Sequence, residues 1–595
     1  MDIASQVREI VRALTQDMNA SGAEPKDFSV IETKPEFEGD FTLVLFPFVK
    51  KLKKSPEVLG AEWGQKLLDE APSVFTKFNV IKGFLNLTVS DQLWIRFLEK
   101  QYANEQFGRK LPSGRKVMVE YSSPNTNKPL HLGHLRNNFL GWSMAEIFKA
   151  NGFDIVKTCV ANDRGIHICK SMVAWQWFGK GETPGSTGIK GDHFVGDYYV
   201  MFGIEHKKQK AVLIEAGLPE EEADKEAPIM KAAQQMLVDW ENGNPEVIDL
   251  WKTMNSWVYA GFEQTYTRIG TDFDKVYYES DTYLLGKNLV EQGLTDGVFF
   301  QKEDGSVWID LTKKGLDQKI VRRKDGTAVY ITQDIGLAEK KFEEFHCDQS
   351  IYVVGDEQIY HFKVLQLICQ ELALPASAGL HHLSYGMVEL PSGKMKTREG
   401  TVVDADDILD EMEKESEKKT REQGKTEGFS DDELKSLYSI IGLGGIKFFL
   451  LRVDPRKRIL FNPEESIDLH GYTATFIQYA HARIRSILRK ETSPGLISPS
   501  GPSLDILLPL EKALIVQLGR YPQAIEQACS EMNPSLIANY AFTLAKIFNG
   551  FYAAHSIGNA ESPAKKVLRL MASSFTAMLL RSSMAVLGIK VPERM

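Results

Sequence analysis

No apolar run in this chain approaches the roughly 20 residues of a membrane span. Cysteine is scarce: five in 595 residues, with no pair at C-x-x-C spacing. That argues against a zinc knuckle or a disulfide framework and fits a reducing cytosol. Positive charge is not in excess, since 71 Lys and Arg face 80 Asp and Glu, a net charge of -9. A chain coated in positive charge is excluded, while a nucleic-acid partner needs only a local basic surface. The opening "MDIASQVREIVRALTQDM" has no basic segment followed by an apolar stretch. It reads as an amphipathic helix, not a secretory signal.

Three regions follow one another. Residues 1–110 have the pattern of a small α+β unit, with strand-like "FSVIET" and "FNVIKGFLNLTV" and a turn at Lys82-Gly83. The cluster Lys50, Lys51, Lys53 and Lys54 reads first as a solvated face. Residues 111–450 alternate strands and helices: "KVMVEY", then "HLRNNFLGWSMAEIFKANG" stopping at Asn151-Gly152, then "FDIVKTCV". Such alternation predicts a doubly wound α/β fold with a parallel sheet and ligands beyond the carboxyl ends of its strands. The rhythm lapses into long helices at about 180–300, read as an insertion. The charged stretch from Asp404 to Lys435 reads as a solvated helix and linker. From 451 to 595 only helical patterns persist, so the chain ends in an all-helical bundle. One of its helices, "TATFIQYAHARIRSILRK", sets His481, Arg485 and Arg489 at i, i+4 and i+8 as a basic stripe.

The most informative stretch is "SSPNTNKPLHLGHLRNN", residues 122–138. Two histidines flank a glycine where an apolar strand ends and a helix begins. A turn after a parallel strand offers backbone N–H groups and the positive end of a helix dipole, a ready phosphate site. His131 and His134 add donors there, and Gly133 lets a flat base approach the backbone. Two capping histidines are the bland alternative. Farther on, "GKMKTREG" brackets Lys394, Lys396 and Arg398 between glycines, a loop that can wrap phosphates or form a plain solvated hairpin tip.

The "HLGH" block resembles the HIGH signature of class I aminoacyl-tRNA synthetases, and "VEYSSPNTNKPLHLGHLRN" resembles the arginyl-tRNA synthetase version. "YITQDIGLA", "YVVGDEQIYHF", "GMVELPSGKMKTREGTVV", "FIQYAHARIRSI" and the ending "LGIKVPERM" agree with that family. Three departures stand out: "NDRGIH" where the family has a tryptophan-glycine pair, "KMKTR" for KMSKS, and "RN" for arginine-serine after the second histidine.

The resemblance implies a Rossmann-like catalytic domain flanked by an N-terminal tRNA-binding domain and a C-terminal anticodon-binding bundle. It also implies a reaction: ATP and L-arginine give arginyl-adenylate and pyrophosphate, and arginine then passes to the terminal ribose of tRNA(Arg). Adenylate formation in this family requires bound tRNA. By the same resemblance His131, Gly133, His134, Lys394, Met395, Lys396, Thr397 and Arg398 bind ATP, with His131, His134, Lys128, Lys394 and Lys396 catalytic. Arginine falls to Glu120, Ser123, Asn125, His131, Tyr330, Asp334 and Gln358. A guanidinium is best read by carboxylates in bidentate geometry. Tyr330 and Asp334, four apart, share a face if the segment is helical; a helix N-cap is the alternative for Asp334. His481, Arg485, Arg489, Tyr552 and Met595 are expected at the tRNA. Mg²⁺ should accompany ATP without a dedicated metal site. A cytoplasmic monomer away from membranes is expected.

Two other classes remain open at this stage. A different HxGH nucleotidyltransferase would share the phosphate chemistry but has no use for a basic helical bundle. A non-catalytic RNA-binding relative would be expected to lose the histidines or the lysine loop.

Overall fold

The computed structural model describes residues 3–16, 29–34, 36–389, 403–424, 426–491 and 506–595. At the amino end, helix Ile3–Gln16 and helices Phe46–Leu52, Pro56–Glu70 and Asp91–Gln101 pack with a four-stranded antiparallel sheet. Its strands are β1 (Val30–Glu32), β2 (Phe41–Val44), β3 (Phe75–Ile81) and β4 (Phe84–Val89), in the order β1-β2-β4-β3. The expected turn at Lys82-Gly83 is there, with φ of 48° and 83°. Two positive φ values in a two-residue loop match the right-handed twist of the strands they join.

The central sheet has five parallel strands: β5 (Lys116–Glu120), β6 (Asp154–Ala161), β7 (Lys275–Tyr278), β11 (Gln349–Gly355) and β12 (Leu380–Tyr385). Their order is β12-β11-β5-β6-β7. Val117, Met118 and Val119 of β5 are at most 1% exposed, as expected for a strand covered on both faces. The chain leaves β5 toward β6 and β7, then returns on the other side as β11. The switch point therefore lies at the carboxyl ends of β5 and β11, where open α/β sheets bind ligands.

Helices Gly191–Glu215, Glu220–Glu226, Pro228–Glu241 and Pro245–Ile269 fill much of the stretch read as an insertion. Two features inside or beside it were not legible. β7 is only four residues long, too short to register against the helical pattern around it. Three further strands, β8 (Phe300–Gln301), β9 (Val307–Asp310) and β10 (Gln318–Arg322), form a small antiparallel sheet before helix Tyr330–Phe345. The charged stretch after Asp404 is more than a solvated helix: Ile408, Leu409 and Met412 of helix Ala405–Glu422 are buried, and it packs on helix Asp431–Leu451. That second helix is long and apolar enough to cross a membrane, yet most of it is buried within the protein as a core element. The carboxyl-terminal bundle comprises helices Ala474–Glu491, Pro509–Gly519, Tyr521–Ser530, Ser535–Ala554 and Pro563–Val586.

Candidate active site

His131 is the N-cap of helix Leu132–Ala150, with extended backbone at φ -133° and ψ 175°. The Gly133 N–H donates to its Nδ1 at 3.1 Å, and its own N–H donates to Nδ1 of His134 at 3.1 Å. The capping alternative is thus realised, and it has a chemical consequence. Each ring spends Nδ1 as an acceptor, so the neutral tautomer carries its proton on Nε2. Burial, reinforced by Lys128, lowers the His131 pKa to about 4; burial and then His131 and Lys128 hold that of His134 well below the ordinary histidine value. Both rings are neutral donors at pH 7, their centroids 3.8 Å apart. Gly133 is constrained by the cap as well: a Cβ there would lie 2.9 Å from Cε1 of His131.

The turn before the helix is held from several sides. Ser122 is fully buried with φ 59°, a left-handed conformation unusual outside glycine. Its N–H donates to Asn137 Oδ1 at 2.6 Å, its Oγ contacts the Tyr266 hydroxyl at 2.8 Å, and Asn138 Nδ2 donates to that Oγ at 3.1 Å. Asn137 also donates to the Val353 carbonyl of β11 at 2.7 Å and to the Tyr385 hydroxyl at 3.2 Å. The asparagine that departs from the family's arginine-serine pattern therefore ties the ends of β5, β11 and β12 together.

Arg136, 1% exposed, aims its guanidinium at four main-chain carbonyls: Gly386 at 2.5 Å, Met387 at 3.3 Å, Pro455 at 2.9 Å and Lys457 at 2.8 Å. Gly386 and Met387 lead into residues 390–402. Lys394, Met395, Lys396, Thr397 and Arg398 lie outside the described residues. The chain beyond them is fixed by backbone pairing, with Leu132 N–H to Val403 C=O at 3.2 Å and Ala405 N–H to Leu130 C=O at 2.9 Å. Both stalks of the expected phosphate loop are thereby attached to the histidine junction.

The second of those stalks, after residue 402, leads into a charged knot. Asp406 accepts from Lys190 at 2.7 Å and His193 at 3.1 Å, both from the helical insertion. Burial raises the Asp406 carboxyl, but those two hydrogen bonds outweigh it and hold the group below the usual range. Burial lifts the neighbouring Asp404 to about 6. Asp192, His193 and Asp406 have the spacing of a metal site. Lys190, 3.0 Å from Asp192 and 2.7 Å from Asp406, already supplies the cation there.

Across the switch point, helix Tyr330–Phe345 begins at Tyr330, with Val329 as its N-cap. Asp334 is therefore in the second turn and is not a cap. Tyr330 is 74% exposed. Asp334 meets His361 Nε2 at 2.6 Å, a partner the sequence reading missed. Glu279, just beyond β7, was missed too: burial raises its carboxyl, with Arg164 opposing and Asp163 and Asp334 adding to the rise. Glu120, the last residue of β5, is buried and paired with Lys341. Ser123, Asn125 and Gln358 are exposed. Asn125 bridges Asn162 of the "NDRGIH" departure. In that segment Asp163 is buried and accepts from Ser280 N–H, Ser280 Oγ and Tyr259 Oη at 2.7–2.9 Å, a structural knot at the end of β6.

The basic stripe of the bundle is rearranged relative to expectation. His481 is 1% exposed with Nδ1 on the Pro592 carbonyl at 3.0 Å, which removes it from any RNA-facing surface. Arg485 pairs with Glu593 at 2.6 Å, and Arg489 donates to the Glu593 carbonyl at 3.1 Å. An open cleft beside them is lined by Tyr479, Arg483, Arg489, Phe429, Arg594 and Met595. The Arg483 guanidinium lies 5.9 Å from the Tyr552 ring, which is partly exposed.

A capped histidine pair at the switch point of a five-stranded parallel sheet, with a helical bundle behind it, defines a class I aminoacyl-tRNA synthetase. The family model of "tRNA synthetases class I (R), catalytic domain" matches residues 98–461. Those of "Arginyl tRNA synthetase N terminal domain" and "DALR anticodon binding domain" match residues 2–89 and 477–595. An arginine–tRNA ligase of Bacteroides thetaiotaomicron is 52% identical over 567 residues, 95% of each chain. That of Amoebophilus asiaticus is 48% identical over 598 residues, with all of both chains covered. The solved Thermus thermophilus arginyl-tRNA synthetase has the same fold at a TM-score of 0.78 and 23% identity, covering 100% of both chains. The chain belongs to the arginyl-tRNA synthetase family and is a ligase that joins arginine to tRNA at the expense of ATP.

Proposed function

We propose that the crevice at the ends of β5 and β11 runs both half-reactions with the residues that line it. In the first, an arginine carboxylate oxygen attacks the α-phosphorus of ATP, and the bond to pyrophosphate breaks. Charge builds on the phosphate oxygens, so the site needs placed donors and no strong base. His131 and His134 offer Nε2–H groups as neutral donors, and Lys128 adds a positive charge beside them. Lys394, Lys396 and Arg398 clamp the departing pyrophosphate, with Met395 and Thr397 against ATP. In the second step a terminal ribose hydroxyl of tRNA(Arg) attacks the arginyl carbonyl and AMP leaves. The reading rests on one observation above all, the double Nδ1 cap, which leaves both Nε2–H groups without a partner among the described residues.

Asp334 takes the guanidinium, oriented by His361, with Tyr330 on the same helix face and Glu279 adding negative potential. Ser123, Asn125 and Gln358 serve the amino-acid end of arginine. Mg²⁺ bound with ATP would offset phosphate charge. Among the described residues, the Asp192–His193–Asp406 group does not fit a resident ion, because Lys190 fills it. The bundle cleft at Arg483, Arg489, Tyr552, Arg594 and Met595 receives tRNA. Five free cysteines, four of them buried, suit a cytosolic enzyme, and we take it to act as a monomer.

The test is amino-acid-dependent ATP–pyrophosphate exchange. It should be specific for arginine and negligible without tRNA; robust tRNA-free exchange would overturn that part of the reading. Asp334→Asn replaces a charge-assisted pair by neutral hydrogen bonds. A partner-removal penalty of about 2–5 kcal/mol corresponds to roughly thirty-fold to several-thousand-fold in arginine kcat/KM, with the KM for ATP nearly unchanged.

A further inference from the structure

Helix Tyr330–Phe345 carries Tyr330, Asp334 and Lys341 along one face, because steps of four and seven residues return to nearly the same side. The stripe runs from an exposed end at Tyr330 to a buried end at Lys341, which is 1% exposed. There the Lys341 ammonium pairs with Glu120 at the tip of β5. It also lies 5.0 Å from the ring centroid of Tyr352 on β11 and 5.5 Å from that of Tyr277 on β7. Three strands of the central sheet and the helix thus converge on one nitrogen. Burial above all raises the Tyr352 hydroxyl, with Glu120 and then Asp334 adding to the rise, so the buried pair and the pocket carboxylate share one neighbourhood.

A buried ion pair gains little stability over apolar packing, because desolvation offsets the attraction. Packing alone would therefore hold this helix as firmly. What the pair adds is register. A point donor facing a single carboxylate fixes the helix along its axis to within the narrow range of a hydrogen bond, whereas apolar contacts tolerate sliding.

We propose that Lys341 is a positioning residue for arginine recognition. By locking onto Glu120 at the tip of the central strand, it sets the axial register that places Asp334 and Tyr330 over the crevice. The inference rests on the reading of Asp334 as the guanidinium partner. It also assigns Oε2 of Glu120 to the protein's own lysine, so the guanidinium is read elsewhere.

The test uses the full-length enzyme with tRNA, measuring the KM for arginine, the KM for ATP and Tm. Removing Lys341 alone leaves a buried carboxylate unpaired, so the informative variant is E120Q/K341M, compared with E120Q. Its KM for arginine should rise about ten-fold or more over that of E120Q, since small misplacements at a binding site are costly. Its KM for ATP should stay within about two-fold of that of E120Q. E120Q/K341Q keeps a neutral hydrogen bond at the same place and should recover part of the arginine KM; it also serves if E120Q/K341M fails to fold. A KM for arginine in E120Q/K341M, or in E120Q/K341Q if only that folds, equal to that of E120Q defeats the proposal. An unaltered KM for arginine in D334N defeats the pocket reading instead.

Discussion

His131 and Asp404, far apart in the chain, are paired as an isolated antiparallel bridge. The residue that caps helix Leu132–Ala150 is thus joined to a residue just after the segment proposed to hold phosphate.

His131 caps the helix and is proposed to donate to phosphate, and the two roles can be separated. Asparagine is among the best N-caps, so His131→Asn should fold with Tm close to that of the parent. It lacks the Nε2–H, and adenylation turnover should fall roughly a hundred-fold, the usual scale for one lost charge-stabilising donor. Binding of ATP and arginine should change much less. Parental turnover would return the residue to a purely structural role.

Arg136 is the other attachment. Arg136→Lys keeps the charge but offers a point donor where a planar fork meets carbonyls from two segments. Loss of about 2–4 kcal/mol of stability is expected, since buried carbonyls are left unpaired. The KM for ATP should rise about ten-fold while the KM for arginine holds, because the stalk it grips leads into the segment proposed to hold phosphate. Urea titration and substrate kinetics check the two halves separately.

Lys447 gives a pH prediction. It is buried, with its ammonium 2.7 Å from the Gly588 carbonyl, and burial, helped by Lys590, lowers its pKa to about 7. The unfolded chain keeps the ordinary value near 10.5. Between those limits the unfolded state binds more protons, so this group adds stability as pH rises from 7 to 10.5 and withdraws it on the way down. Lys447→Met should lose that slope and exceed the parent at pH 7 by up to about 4 kcal/mol, the gap closing toward pH 10. Urea unfolding at pH 7 and 9.5 measures it; parallel pH dependences would refute it.

The bundle prediction moves with the structure. Arg485 is held in an ion pair by the Glu593 carboxylate, whereas Arg483 and Arg489, the latter donating only to the Glu593 carbonyl, line the open cleft. Replacing those two by alanine should weaken tRNA affinity and reduce its salt dependence by up to about two units of slope, with the KM for arginine unaltered. An unchanged slope would show that the cleft does not meet RNA phosphates.

Much of this was legible in residues 122–138, because strand, turn and helix start are written there with little ambiguity. The doubly wound sheet and the helical carboxyl end followed from periodicity alone. What escaped depends on long-range contact. His361 and Lys341 look like ordinary helix residues until the fold sets them against Asp334 and Glu120. His481 sat at helical spacing with Arg485, yet the Pro592 carbonyl draws it inward. β7 was hidden by its brevity, and Asn137 matters only because three strand ends meet at it.

Helix Leu132–Ala150 also reaches into the bundle. In its second half Ser143 donates to the Val586 carbonyl at 2.9 Å, and at its end Asn151 donates to the Ile525 carbonyl at 3.2 Å, both acceptors in the bundle. Nineteen residues at 1.5 Å each make a beam of about 28 Å, with the histidines at one end and the bundle bolted to the other. The two regions that the chain sets out in succession therefore share a structural member. A cut at residue 451 would thus remove both of these anchors from the beam.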